Sequence, residues 1–245
     1  MHLPCKHLEI ITPAKVGSSN FNNVSPRKPG LPPWETIDHN HDLKRLKDKH
    51  SLENRENTLI VVGVRNPIDR NLSYLFQTYC DNFNNSVKYK RNNYEGEFCY
   101  IPEMHNNIST ISPARVIELY FQQKYHTTFN DWFDDFFEIT NIIEGSFDKE
   151  RGYEVYSYPR GNKILIYTLE KLDENENDIC DLLGITELVN KNNSKQRNYY
   201  QLYTKVKESI VYPREYIDSL LNTPIMKFFY SDVDIEEMRS KYNIV

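Results

Sequence analysis

The chain has 245 residues, 39% of them hydrophobic and 13% aromatic, with 18 Tyr and 12 Phe, enough apolar surface to exclude wholesale disorder. A formal charge of −5 argues against a duplex-coating protein, which would be basic overall, so no nucleic-acid partner is expected. No segment approaches the ~18 apolar residues of a membrane span, and the N-terminus MHLPCKHLEI has no apolar run of signal length, so a soluble chain is expected.

Taken in chain order, HLEIITP (7–13) predicts a short strand. A turn comes next, and residues 22–35, with four Pro and a Gly, read as loop. ETIDHNH (35–41) predicts a second short strand, and DLKRLKDKH (42–50) a charged helix or turn. TLIVVGVR (58–65) is a continuous β-branched run, as in a strand buried on both faces of a parallel sheet. NPIDRNLSYLFQTYCDNF (66–83) predicts a helix with Asn66 as N-cap and Pro67 at the first position. Its residues Ile68, Leu72, Leu75, Phe76 and Tyr79 share one face.

Residues 84–112, rich in Asn and Tyr, read as a surface excursion. Segments 113–125 and 129–139 predict helices. The aromatic run of the second (Trp132, Phe133, Phe136, Phe137) suits a core better than a sugar platform. GYEVYSYPRGNKILIYTLE (152–170) predicts two strands joined at Pro159–Asn162, and 170–184 a helix closed by Gly184. The remainder predicts helices near 196–209, 213–222 and 231–241, the last capped by Ser231. This alternation predicts a single α/β domain over 1–245. It would be three-layered, with a central parallel sheet flanked by helices and a helical C-terminal part. The cysteines Cys5, Cys80, Cys99 and Cys180 are dispersed, which predicts reduced thiols, a cytoplasmic setting and no metal site.

Two constellations carry chemistry. Lys15-Val16-Gly17-Ser18-Ser19-Asn20 lies just past the first strand, ahead of the Pro-rich loop. Such a turn aims backbone N–H groups, hydroxyls and a mobile cation at the edge where anions bind, although the same residues also describe a plain turn. The Walker order is absent, because the Lys precedes the Gly. Farther on, Arg65 closes the buried strand, and Ser73 lies in the second turn of the next helix, sharing a face with Arg70 and Gln77. A guanidinium beside a hydroxyl suits a terminal phosphate. Pairing of Arg65 and Arg70 with Asp69 or a Glu is the alternative.

Together these residues resemble the sulfotransferases that use 3′-phosphoadenosine 5′-phosphosulfate. Lys15-Val16-Gly17-Ser18-Ser19 is similar to that family's first signature, and Arg65-Asn66-Pro67 with Arg70 and Ser73 to its second. The resemblance is strongest to the carbohydrate branch and to bacterial capsular polysaccharide synthesis proteins, the latter also through 152–172 and 227–242. It implies a P-loop-like fold in which the first loop holds the 5′-phosphosulfate and Arg65 and Ser73 hold the 3′-phosphate. It also implies a hydroxyl acceptor, taken as a glycan, and adenosine 3′,5′-bisphosphate as product.

Asp38-His39-Asn40-His41 sets two imidazoles at i and i+2, on one face if the segment is a strand. Heparan sulfate 2-O-sulfotransferases carry a similar His-x-His, which supports His39 as base and His41 as helper. A polar surface turn, or His50 or Glu35 as base, is the alternative. In Asn193-Ser194-Lys195-Gln196-Arg197, the resemblance implies that Lys195 and Arg197 add to the 3′-phosphate clamp; a solvated basic turn is the plain reading. Arg27, Lys28, Lys44, Arg45, Lys47 and Lys49 would form a basic rim for an anionic glycan, or simply solvated surface. The rival functions are a nucleotide kinase-like enzyme, which needs Mg²⁺ and ATP, and a non-catalytic nucleotide- or glycan-binding module.

Overall fold

Thr58–Val64 is buried at every position, as its run of β-branched residues predicts. The computed structural model describes residues 3–13, 16–21, 27–41, 43, 56–77, 110–122, 125–142, 146–188 and 197–245. Five strands form the main sheet: β1 (His7–Ile11), β2 (Thr36–Asn40), β3 (Thr58–Val64), β4 (Tyr153–Ser157) and β5 (Lys163–Thr168). Their order is β2-β1-β3-β5-β4. The first four in that order run parallel, so the carboxyl ends of β2, β1, β3 and β5 share one edge.

The outer strand β4 is antiparallel to β5, which departs from an all-parallel sheet. The cause is local. The Pro159–Gly161 turn, with Arg160 at φ 62°, reverses the chain within a few residues, too few for a crossover.

Alternation along the central strands splits the core in two. Ile60, Val62, Val64, Ile164 and Ile166 face one apolar cluster; Leu59, Val61, Leu165 and Tyr167 face the other. The first cluster is roofed by α1 (Pro67–Phe76), α2 (Pro113–Phe121), α3 (Thr128–Thr140), α5 (Tyr200–Ser209), α6 (Arg214–Leu221), α7 (Pro224–Phe229) and α8 (Asp232–Ser240). The second is covered by α4 (Glu176–Leu183) through Ile179, Cys180 and Leu183. The chain is α/β, with a mostly parallel sheet and helices packed on both faces, compatible with three layers.

Side-chain caps open several of the helices. Asn66 accepts from the Ile68 N–H ahead of α1, with Pro67 at its first position. Ser231 and Asp234 close a capping box on α8. The helix expected over 170–184 forms only from Glu176, because Leu169–Lys171 turns as a 3-10 segment first. The short helix α7 and the two-residue strands β6 (Val211–Tyr212) and β7 (Asn243–Ile244) have no counterpart among the expected elements. The expected helix over 42–50 and the excursion over 84–112 lie almost wholly outside the described residues.

Candidate functional site

The turn after β1 is wedged between the ends of β3 and β5. Val16 is fully buried, and its carbonyl accepts from the Tyr167 hydroxyl at 2.9 Å. A Cβ on Gly63 would lie 2.8 Å from the Val16 Cγ2 and carbonyl oxygen, so only glycine lets the turn come this close to β3. Gly17 takes φ +78°, a left-handed conformation that suits glycine, and a Cβ there would sit 2.5 Å from Leu169 Cδ1. The Asn20 N–H donates to the Gly17 carbonyl at 3.0 Å and closes the 3-10 turn Ser18–Phe21. This arrangement needs the glycines at 17 and 63.

Arg65 follows β3 at the same edge. Its Nη1 donates to Ser73 Oγ at 3.4 Å, across eight residues. Ser73 Oγ also lies 3.5 Å from the Tyr203 hydroxyl of α5. All three residues are half-buried. Arg70, expected beside them, is only 4% exposed. Its guanidinium lies over the rings of Tyr74 and Phe129, at 4.9 and 5.9 Å, and donates to Asn71 Oδ1 at 3.0 Å.

At the end of β2 the two imidazoles do meet, with ring centroids 4.8 Å apart and edge to face. His41 Nδ1 is 2.8 Å from the Thr12 carbonyl, which makes that nitrogen the protonated one and ties the pair to the loop strand. Crowding by protein, then the charge of His41, pushes the pKa of His39 down to about 4. His39 keeps much of its surface open to solvent, and its lowered pKa leaves the ring neutral at neutral pH. Trp132 Nε1 donates to the His41 carbonyl at 3.1 Å, while Phe133, Phe136 and Phe137 are buried core.

Comparisons of the chain with protein-family models, with curated proteins and with solved structures found no match.

Lys15, Lys195, His50, His105, Lys44, Arg45, Lys47 and Lys49 lie outside the described residues. Ser18 and Ser19 contribute the backbone of the 3-10 turn. Arg197 stands in the turn before α5, its carbonyl accepting from the Tyr200 N–H at 3.0 Å. Arg27 is not part of a basic rim. It is 8% exposed, stacks on Trp34 at 4.1 Å, and donates to the carbonyls of Leu183, Cys5, Pro32 and Leu3. Lys28 is paired with Asp181. Among the described residues no cluster of His, Cys, Asp or Glu could hold a metal, and no helix is long and apolar enough to cross a membrane.

Glu170 is a candidate site residue that sequence patterns do not reveal. It follows β5, and its carboxylate accepts from the Asn66 N–H at 2.8 Å and the Tyr230 hydroxyl at 2.6 Å. Crowding raises its pKa, opposed by those two donors and by the charge of Arg65, although part of the residue stays open to solvent. Both partners are distant in sequence, so no local pattern marks it. His126 is half-buried and held at both ring nitrogens: Nε2 is 2.9 Å from the Tyr120 carbonyl and Nδ1 2.9 Å from the Tyr216 hydroxyl.

Proposed function

We propose that this chain is a sulfotransferase that moves a sulfuryl group from 3′-phosphoadenosine 5′-phosphosulfate to a carbohydrate hydroxyl. One observation carries the reading: Arg65 and Ser73 meet at 3.4 Å, at the edge where the Val16–Gly17 turn is seated. A guanidinium and a hydroxyl held together give directional donors to a terminal phosphate. The turn after β1 offers backbone N–H groups to a second one. This is the P-loop-like element of the proposal.

Strand order supports the same layout. β1 lies between β2 and β3, and neighbouring strands are ~4.8 Å apart, so the ends of β2 and β3 lie roughly 10 Å apart. A nucleotide along this edge would meet Arg65 at its 3′-phosphate and the first turn at its 5′ end. The acceptor would approach from the His39 side.

The donor supplies the sulfuryl group and the 5′-phosphate that leaves. The chain supplies the rest. His39, neutral at neutral pH, takes the acceptor proton as the hydroxyl oxygen attacks sulfur in line. Lys15 and the turn N–H groups would stabilise the charge that develops on the departing phosphate. Lys195 and Arg197 would add to the grip on the 3′-phosphate.

Thermal shift tests this reading. Adenosine 3′,5′-bisphosphate at a hundred times its Kd should stabilise the fold by ~2.7 kcal/mol. Stabilisation by ATP–Mg²⁺ alone would favour a kinase-like enzyme, and by sulfated oligosaccharides alone a binding module. If the bisphosphate stabilises, a labelled-sulfate screen over carbohydrates identifies the acceptor.

A further inference from the structure

The turn Leu169–Lys171 touches both halves of the proposed site. Leu169 packs on Gly17, so closely that an added Cβ would lie 2.5 Å from its Cδ1. The next residue, Glu170, accepts from the Asn66 N–H at 2.8 Å, and Asn66 is the peptide neighbour of Arg65. Asn66 is itself held twice more, capping Ile68 N at 3.0 Å and donating to the Tyr242 hydroxyl at 2.8 Å. The second Glu170 oxygen takes the Tyr230 hydroxyl at 2.6 Å. Lys171 anchors the turn from its far side through Asp234 at 3.3 Å.

We infer that Glu170 is a positioning residue for Arg65, and that the Leu169–Lys171 turn sets the spacing between the first loop and the Arg65–Ser73 clamp. The inference rests on the reading of Arg65 as a 3′-phosphate ligand. Glu170 acts in two ways. It pins the backbone from which the guanidinium springs, through the Asn66 N–H, and its negative charge attracts the Arg65 charge. Removal of the carboxylate therefore acts on the 3′-phosphate end of a nucleotide and leaves the 5′ end untouched.

The test compares adenosine 3′,5′-bisphosphate with adenosine 5′-phosphate, which lacks the group Arg65 would hold. The wild-type chain should prefer the bisphosphate. Glu170→Gln should cut that preference about tenfold, the effect of one strong hydrogen bond, with 5′-phosphate affinity held within about twofold. In an Arg65→Ala background the same change should add nothing. Tyr230→Phe, a milder variant that deletes one donor, should lower the preference about threefold. Equal weakening of both ligands, or an unchanged preference in Glu170→Gln, overturns the inference. If Glu170→Gln does not fold, an unchanged preference in Tyr230→Phe overturns it. A wild-type chain without preference overturns the assignment of Arg65 itself, and is told apart by needing no variant.

Discussion

The Tyr167 hydroxyl donates to the Val16 carbonyl at 2.9 Å, joining β5 to the loop after β1 across 151 residues. Both residues are fully buried, so the bond has no water to replace it. Tyr167→Phe leaves a buried carbonyl unsatisfied, which costs about 1–3 kcal/mol. Urea unfolding should show that loss at an unchanged m-value. Because the bond seats the turn, adenosine 3′,5′-bisphosphate affinity should also drop. A stable variant with undiminished affinity would mean that the turn is held by other contacts.

Gly17 is the second restraint on that turn. Gly17→Ala forces a side chain into φ +78° and toward Leu169 Cδ1. The left-handed conformation alone costs roughly 1–2 kcal/mol. Leu169→Ala should relieve the clash and leave the backbone cost, so the double variant should be less destabilised than the sum of the singles. Strict additivity in denaturant midpoints would show that the two residues do not meet.

His126 predicts how stability depends on pH. Burial, then the charge of Arg70, lowers its pKa below the usual 6.5, against the hydrogen bond to Tyr120. Depression in the folded state means that the unfolded chain binds the proton first. His126 thus favours folding above about pH 6.5, and that contribution is lost as the pH falls below it. Melting temperatures between pH 7.5 and 5 should decline, and less steeply in His126→Gln. Equal slopes would show that His126 does not titrate across folding.

His39 predicts the pH dependence of turnover. With its pKa held at about 4 by crowding and by His41, the base form persists through mildly acidic solution. The acid limb of kcat/KM for sulfuryl transfer should stay flat from pH 7.5 to 5.5. His39→Ala should abolish transfer while bisphosphate still binds. Half-loss near pH 6.5 in the wild-type chain would point to a different base.

The parts legible in the sequence are those fixed by neighbours along the chain. The β-branched run of β3, the Asn66–Pro67 start of α1, the Pro159–Gly161 reversal and the Ser231 box each need only a few adjacent residues. The Arg65–Ser73 pair is legible for the same reason, since helical geometry returns the hydroxyl to the strand end. Glu170 is not, because its partners are 104 and 60 residues away and meet it only once the sheet is assembled. Arg27 and Arg70 mislead for a related reason. In sequence they are cations in polar company, whereas the fold gives one a set of backbone carbonyls and the other an aromatic bed.

The site stands or falls on whether Arg65 reads a 3′-phosphate. Calorimetric titration of adenosine 3′,5′-bisphosphate into the wild-type chain and Arg65→Ala decides this. Loss of a hydrogen bond to a charged group, about 1.5–3 kcal/mol, should weaken binding roughly 10- to 150-fold, while Ser73→Ala loses less. Equal affinity for wild type and Arg65→Ala, or no heat of binding in the wild type, would contradict the account.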